Sequence, residues 1–261
     1  TGIEEVDDEV VLRCRIAYWA LVARMDAMIG EMLEALKRNG LSENTLVIYT
    51  TDHGEQVGEH GLWWKQTFYE DSARVPAIIS WPGVLPQGVH SNSVINQFDL
   101  NATMLDATGA PTLPRSNGRS LLSLLKDPDN TPWDDVAFSE YCMDAQVEGR
   151  PSDIHSGPTG WFHRMIRRDQ WKLNYYHGME PQLFNLAEDP RETQDLARDP
   201  GYSRIRQDLV AEVLDGWDPE VTAAKMAAIQ ADQMVLQAWA RNVDPPDPIR
   251  WDLRPEMDYL D

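Results

Sequence analysis

The 261-residue sequence has little cysteine, little base and no long apolar run. Two cysteines, Cys14 and Cys142, cannot build a disulfide framework or a cysteine-rich metal site. Lys and Arg number 23 against 43 Asp and Glu, a formal net charge of −20. A chain so poor in base lacks the cationic footprint that nucleic acid phosphates require. Anionic membrane surfaces are disfavoured for the same reason. No stretch stays apolar for the roughly 20 residues that cross a bilayer. No signal peptide opens the chain, which begins with Thr1, so a cytoplasmic or periplasmic location is expected. What remains is an acidic globular sequence with ample length for a core. Its acidity suits a bound metal or a small cationic partner, although most such charge serves solvation.

The pattern of apolar residues gives an order of elements. Tyr18, Leu21, Val22, Met25, Ile29, Met32, Leu33 and Leu36 follow helical spacing and predict a helix over 15–37 that spans roughly 33 Å. Asn39-Gly40 supplies its stop. Leu46–Thr51 is a continuous, largely β-branched run, as in a strand covered on both faces. A second run, Val75–Ser80, precedes a helix over 97–107 with Asp99 near its start. Strand and helix alternating in this way predict an α/β domain with a largely parallel sheet. After about Pro132 the character changes. Strand candidates follow at 136–141, 164–167, 171–176 and 182–186, with a Gly/Pro/Ser-rich loop over 148–160 and a tight turn at Asp169-Gln170. They predict a small antiparallel sheet. Helices over 202–214 and 220–241 and an extended Pro-rich tail over 244–248 complete the chain.

Chemistry concentrates at Thr51-Asp52-His53-Gly54-Glu55, directly after the first strand. Ligands of open α/β sheets bind past the carboxyl ends of strands. A carboxylate offers hard oxygens to Ca²⁺, Mg²⁺ or Mn²⁺, and an imidazole suits a borderline metal or a substrate oxyanion. On the residues alone, Asp52 and His53 are either metal ligands or a hydrogen-bonded loop pair. Lys65 is either an oxyanion contact or a surface lysine. His60, between Glu59 and Gly61, is either a proton carrier or a hydrogen-bonded loop residue. Glu70, Asp71 and Arg74 read as an ion-paired stretch that positions the loop.

These residues carry a resemblance. Thr50-Thr51-Asp52-His53-Gly54-Glu55, Gly58-Glu59-His60-Gly61-Leu62-Trp63-Trp64-Lys65 and Tyr69-Glu70-Asp71-Ser72-Ala73-Arg74-Val75-Pro76 resemble the sulfatase branch of the alkaline phosphatase superfamily. Asp99–Leu105, Gly118-Arg119-Ser120-Leu121-Leu122, Met165–Arg168, Gln182–Leu186 and Asp189-Pro190-Arg191-Glu192 are similar to later segments of the family, in the family's order. The resemblance implies a largely parallel sheet with helices on both faces, plus a small C-terminal antiparallel sheet and a helical tail. It implies Asp52 and His53 at one divalent metal, Ca²⁺ in the first place and Mn²⁺ or Mg²⁺ otherwise. It implies Lys65 as the contact to the sulfate group, with His60 in a second tier. It divides the chain into 1–132, part of the α/β catalytic domain; 133–218, the rest of the sheet with the antiparallel subdomain; and 219–261, a tail for oligomer contacts.

The tail, with Tyr175-Tyr176-His177-Gly178, Trp239 and Trp251-Asp252-Leu253, looks like the choline-sulfatase subgroup. The implied substrate is a small sulfate ester, and the full-length protein is expected to be a homo-oligomer without nucleic acid or membrane partners. A cationic choline group would suit an aromatic cage, which ten tryptophans permit but do not assign. The family's nucleophile motif, Cys or Ser-x-Pro-x-Arg, is not in this sequence: neither Cys14 nor Cys142 has a proline two positions later. Both cysteines read as ordinary, partly buried thiols. The expectation is a C-terminal part of a sulfuric ester hydrolase, inactive by itself, with a formylglycine nucleophile in a preceding part. The alternatives are a phosphonate or phosphate monoester hydrolase of the same superfamily and a non-catalytic assembly module.

Overall fold

The computed structural model describes residues 6–143 and 161–243. The expected loop over 148–160 lies outside the described residues, as do the Pro-rich tail, Trp251, Asp252 and Leu253. The described residues fall into two compact units. One comprises those up to Tyr141 together with His163–Asp215; the other comprises those in Cys142–Phe162 and from Gly216 onward.

Helix α1, Asp8–Arg38, opens the first unit. The Asp7 side chain caps it by accepting the Glu9 amide at 2.9 Å, and acidic residues at its start and basic ones at its end complement its dipole. The stop falls at Asn39-Gly40, with Gly40 at φ +68° in the left-handed region. None of its 31 residues is buried. Of the apolar stripe legible in the sequence, Val22, Ile29 and Leu36 are half-buried, whereas Leu21 is 69% and Met32 68% accessible.

Strands β1, Val47–Thr50, and β2, Ala77–Ser80, pair with each other, with Ile48 opposite Ile79. The pairing is antiparallel, so the parallel arrangement expected from the element order is not what these two strands form. The physical reason lies between them. That stretch holds only a single 3₁₀ turn at Glu59–Gly61 and the four-residue helix α2, Glu70–Ala73, and lacks the long crossover helix that parallel neighbours need. Leu100 of helix α3, Gln97–Thr108, Leu124 of helix α4, Leu122–Lys126, and Leu121 just before α4 pack with Ile48 and Ile79. On the opposite face Val47 and Tyr49 are half-buried, and Ile78 is 62% accessible. Asn96 and Asp99 form a reciprocal capping box at the start of α3.

The antiparallel sheet expected after Pro132 is present. It has the order β3 (Val136–Met143), β4 (Trp161–Arg168), β5 (Trp171–Tyr176), β6 (Gln182–Asn185). Asp169, at φ +50°, makes the turn between β4 and β5. Ile166, Leu173 and Leu183 stand side by side in register and pack with Leu209 and Val213 of α5, Ser203–Leu214. Leu173, Leu183 and Val213 have no exposure. Alternation puts Lys172 and Asn174 on the other face of the sheet. The loop after β1 covers that face, with Tyr69 near Phe184 and Phe68 near Tyr176.

The second unit carries α6, Pro219–Val243. The Asp218 side chain caps it through the amides of Glu220 and Val221. Ile229, Val235, Leu236 and Trp239 are exposed along it. No helix among the described residues is long and apolar enough to cross a membrane.

Candidate active site

The residues following β1 place three of the candidate side chains together. His53 Nδ1 lies 2.7 Å from the Gly54 carbonyl oxygen, and His53 Nε2 lies 2.7 Å from Lys65 Nζ. An ammonium has no lone pair, so Lys65 donates and Nε2 accepts. The carbonyl therefore takes the proton on Nδ1, and the Gly54 backbone selects the tautomer whose Nε2 lone pair faces outward. Asp52 Oδ2 stands 3.5 Å from the same Nε2. Its side chain is 83% accessible. Slight desolvation pushes the Asp52 carboxyl up. The neighbouring His53 and hydrogen bonds from the Thr51 hydroxyl and the Asp52 and His53 amides outweigh this, so it sits below the ordinary range.

Gly54 is where the loop crosses α2. A side chain there would bring a Cβ to 2.0 Å from the Asp71 carbonyl oxygen. The bare backbone lets the Gly54 amide reach the Ser72 carbonyl at 2.8 Å. From the other side, Gln97 at the start of α3 donates its side-chain amide to the Thr51 carbonyl. The turn that follows runs through left-handed backbone at Val57, Gly58, His60, Gly61 and Trp64. Such conformations are costly for Val and Trp and persist only when the surroundings hold them. Here Glu55 Oε1 accepts the Trp64 amide, Arg15 of α1 donates to the Val57 carbonyl at 2.9 Å, and Arg15 and Arg191 share the Glu59 carboxylate.

His60 stacks on Tyr69, with ring centroids 4.0 Å apart, and is not brought into the group of Asp52, His53 and Lys65. Cys14 is exposed, a departure from the partly buried thiol expected. Three residues to which the sequence gives no role of their own support the loop. Lys172 of β5, without exposure, lies 3.0 Å from Glu70 Oε1 and 2.8 Å from Glu192 Oε1. Glu192 Oε2 accepts the Glu70 amide at 2.6 Å. Burial raises the Glu192 carboxyl above its ordinary value despite Lys172 beside it. Ser72, also buried, donates its hydroxyl to the Lys65 carbonyl at 2.6 Å.

Oδ2 of Asp52 and Nε2 of His53 fit a divalent cation in chemistry and spacing. Two donors at right angles, each about 2.2 Å from a metal, stand about 3.1 Å apart. Among the described residues no group of three or more His, Cys, Asp or Glu could hold a metal ion. Asp52 and His53 are two such residues side by side, one short of that number.

The family model described as Sulfatase matches residues 7–110. The choline-sulfatase of Rhizobium meliloti (strain 1021) is 31% identical over 245 residues, which cover 91% of this chain and 44% of the relative. Arylsulfatase K of Gallus gallus is 35% identical over 202 residues, 74% of this chain and 35% of the relative. The chain thus spans less than half the length of these curated relatives. Among solved structures, the phosphonate monoester hydrolase SpPMH from Silicibacter pomeroyi superposes with a TM-score of 0.71 at 26% identity, over 82% of this chain and 43% of that one.

Proposed function

This chain belongs to the sulfatase family, and from that premise we propose that it forms the carboxyl-terminal part of a sulfuric ester hydrolase. The observation that carries this reading is the convergence of Asp52, His53 and Lys65 past the end of β1. Asp52 and His53 would hold one divalent cation together with donors from outside the described residues, Ca²⁺ being the first choice and Mn²⁺ or Mg²⁺ the others. The cation supplies Lewis acidity toward an ester oxygen. Lys65 contacts the sulfate group and offsets the negative charge that develops as the ester bond breaks. Gly54 and Gln97 keep the donor pair aimed outward, and Ser72 holds the backbone that presents Lys65. The nucleophile, a formylglycine by family resemblance, belongs to a part outside this sequence, and the chain alone is inactive. For the whole protein we propose the largely parallel alkaline-phosphatase-like sheet and a homo-oligomer.

Within the family the choline-sulfatase reading draws support from that relative's 91% coverage of this chain. An aromatic wall beside the loop adds to it: Tyr18, Trp63 and Trp64 line a cavity of about 310 Å³ with Glu55 at its edge. Likeness to the phosphonate monoester hydrolase favours the second reading. Turnover decides between them. The protein carrying this chain should hydrolyse choline sulfate or an aryl sulfate faster than a phosphonate monoester, and Lys65→Ala should lower kcat/KM for the sulfate by roughly 10²–10³-fold. Faster phosphonate turnover selects the second reading. Turnover of neither ester selects an assembly module.

A further inference from the structure

We propose that Lys172, buried in the antiparallel sheet, is a positioning residue for His53 and Lys65, acting through Glu70, Glu192 and Ser72. Its ammonium lies between Glu70 and Glu192, and the second Glu192 oxygen holds the first amide of α2. Both ends of the short helix are thereby pinned, because two residues later Ser72 makes two contacts toward the site. Its hydroxyl holds the Lys65 carbonyl at 2.6 Å, and its carbonyl accepts the Gly54 amide at 2.8 Å. The Gly54 carbonyl in turn sets the His53 tautomer, and His53 Nε2 accepts a hydrogen bond from Lys65 Nζ. A path of hydrogen bonds and short backbone segments therefore runs from the sheet to both site side chains and closes on itself at Lys65.

Stability alone is a poor reason for such a cluster. Removing three charged groups from water costs about what their mutual attraction returns, and apolar replacements of similar volume are often neutral or better. What an apolar trio cannot supply is direction: it has no acceptor for the Glu70 amide and nothing to fix the register of α2. The Tyr69 and Phe68 rings give the loop its contact with the sheet, and the Lys172 cluster gives that contact one orientation.

The inference rests on reading His53 and Lys65 as site residues, and its test does not use turnover. Amide hydrogen exchange is measured on the full chain for wild type, Ser72→Ala, Lys172→Met and the double variant Lys172→Met/Glu192→Met. In parallel, the ¹⁵N signals of the His53 ring are recorded at one fixed pH. Ser72→Ala and Lys172→Met should speed exchange at Gly54 and through 64–73 at least tenfold and merge the two His53 ring signals toward a tautomeric average. Leu173 and Leu183 amides should keep their protection in Ser72→Ala. The double variant, freed of an unpaired buried carboxylate, should recover the melting temperature and leave the loop fast. Recovery of the loop together with the melting temperature would show a purely structural role and overturn the proposal. So would unchanged Gly54 exchange and an unchanged His53 spectrum in Ser72→Ala, which decides the matter even if Lys172→Met does not fold.

Discussion

Lys65 donates to His53 through a contact of 2.7 Å, on the nitrogen that Asp52 also approaches. An ammonium thus stands on the lone pair that a cation would use. Lys65→Ala should therefore raise the affinity of the chain for Mn²⁺ roughly three- to tenfold by removing a neighbouring like charge. Asp52→Asn should lower it by at least as much. Paramagnetic broadening of the His53 ring signals during Mn²⁺ titration reads both, and broadening that ignores both substitutions would dismiss this donor pair.

Gly54→Ala should damage the same loop by another route. The added Cβ meets the Asp71 carbonyl at 2.0 Å, and that atom is backbone, so the two segments must separate. The cost should be roughly 2–4 kcal/mol, with the Gly54–Ser72 hydrogen bond lost. Thermal melting is the check; an unaltered midpoint would mean that the loop and α2 are not packed as described.

Acid and base act on the two carboxylate clusters with opposite signs. Asp134 is held below its ordinary pKa, chiefly by its hydrogen bond from Arg168. A lowered folded-state pKa contributes stability that is complete above the unfolded value, near 3.8, and is lost as pH falls through the folded value. Glu192 is raised, chiefly by burial, so its contribution is complete below the unfolded value of about 4.5 and fades as pH rises through the folded one. Asp134→Asn should flatten the decline in stability below pH 4 and leave the slope above pH 5 as it was. Denaturant unfolding at a series of pH values measures this, and an unchanged acid limb would exclude Asp134 as a contributor.

The apolar face of α1 should govern solution behaviour without governing stability. Leu21 and Met32, on one side of α1, are both about two-thirds exposed, and patches of this kind promote association. Leu21→Lys with Met32→Lys should reduce dye binding and light scattering of the isolated chain and leave the melting temperature within about 1–2 °C. By contrast Leu183→Ala, at a position without exposure, should cost about 2–5 kcal/mol. If the α1 pair unfolds the protein instead, the helix is packed in solution.

Much of this fold is written locally. The stop of α1, the turn at Asp169 and the strands around it follow from spacing and turn chemistry within a few residues, whereas the helix expected from residue 15 begins at Asp8, where the apolar spacing gives no signal. Asp52, His53 and Lys65 are legible because a short motif carries them. Lys172 is not. A lysine in a strand between Trp171 and Leu173 reads as an exposed residue on the outer face, and nothing nearby says otherwise. Its partners lie 20 and 102 positions away, and only the covering of that face by the loop after β1 turns a surface charge into a buried one. The strand partnership of β1 has the same origin. A continuous apolar run is compatible with a parallel or an antiparallel neighbour, and the choice depends on a return path that the run does not encode.

The long reach of the Glu70–Glu192 hydrogen bond sets a clock on biosynthesis. Its partners are 122 residues apart. A ribosome adding about 5–20 residues per second delivers the second of them roughly 6–24 s after the first. Through that interval the segment bearing Lys65 has its local contacts, such as the one from Ser72, and lacks the Glu192 carboxylate that accepts the Glu70 amide. The loop after β1 is thus translated early and completed late, and a nascent chain arrested before Glu192 would carry every motif residue of the site while lacking its alignment.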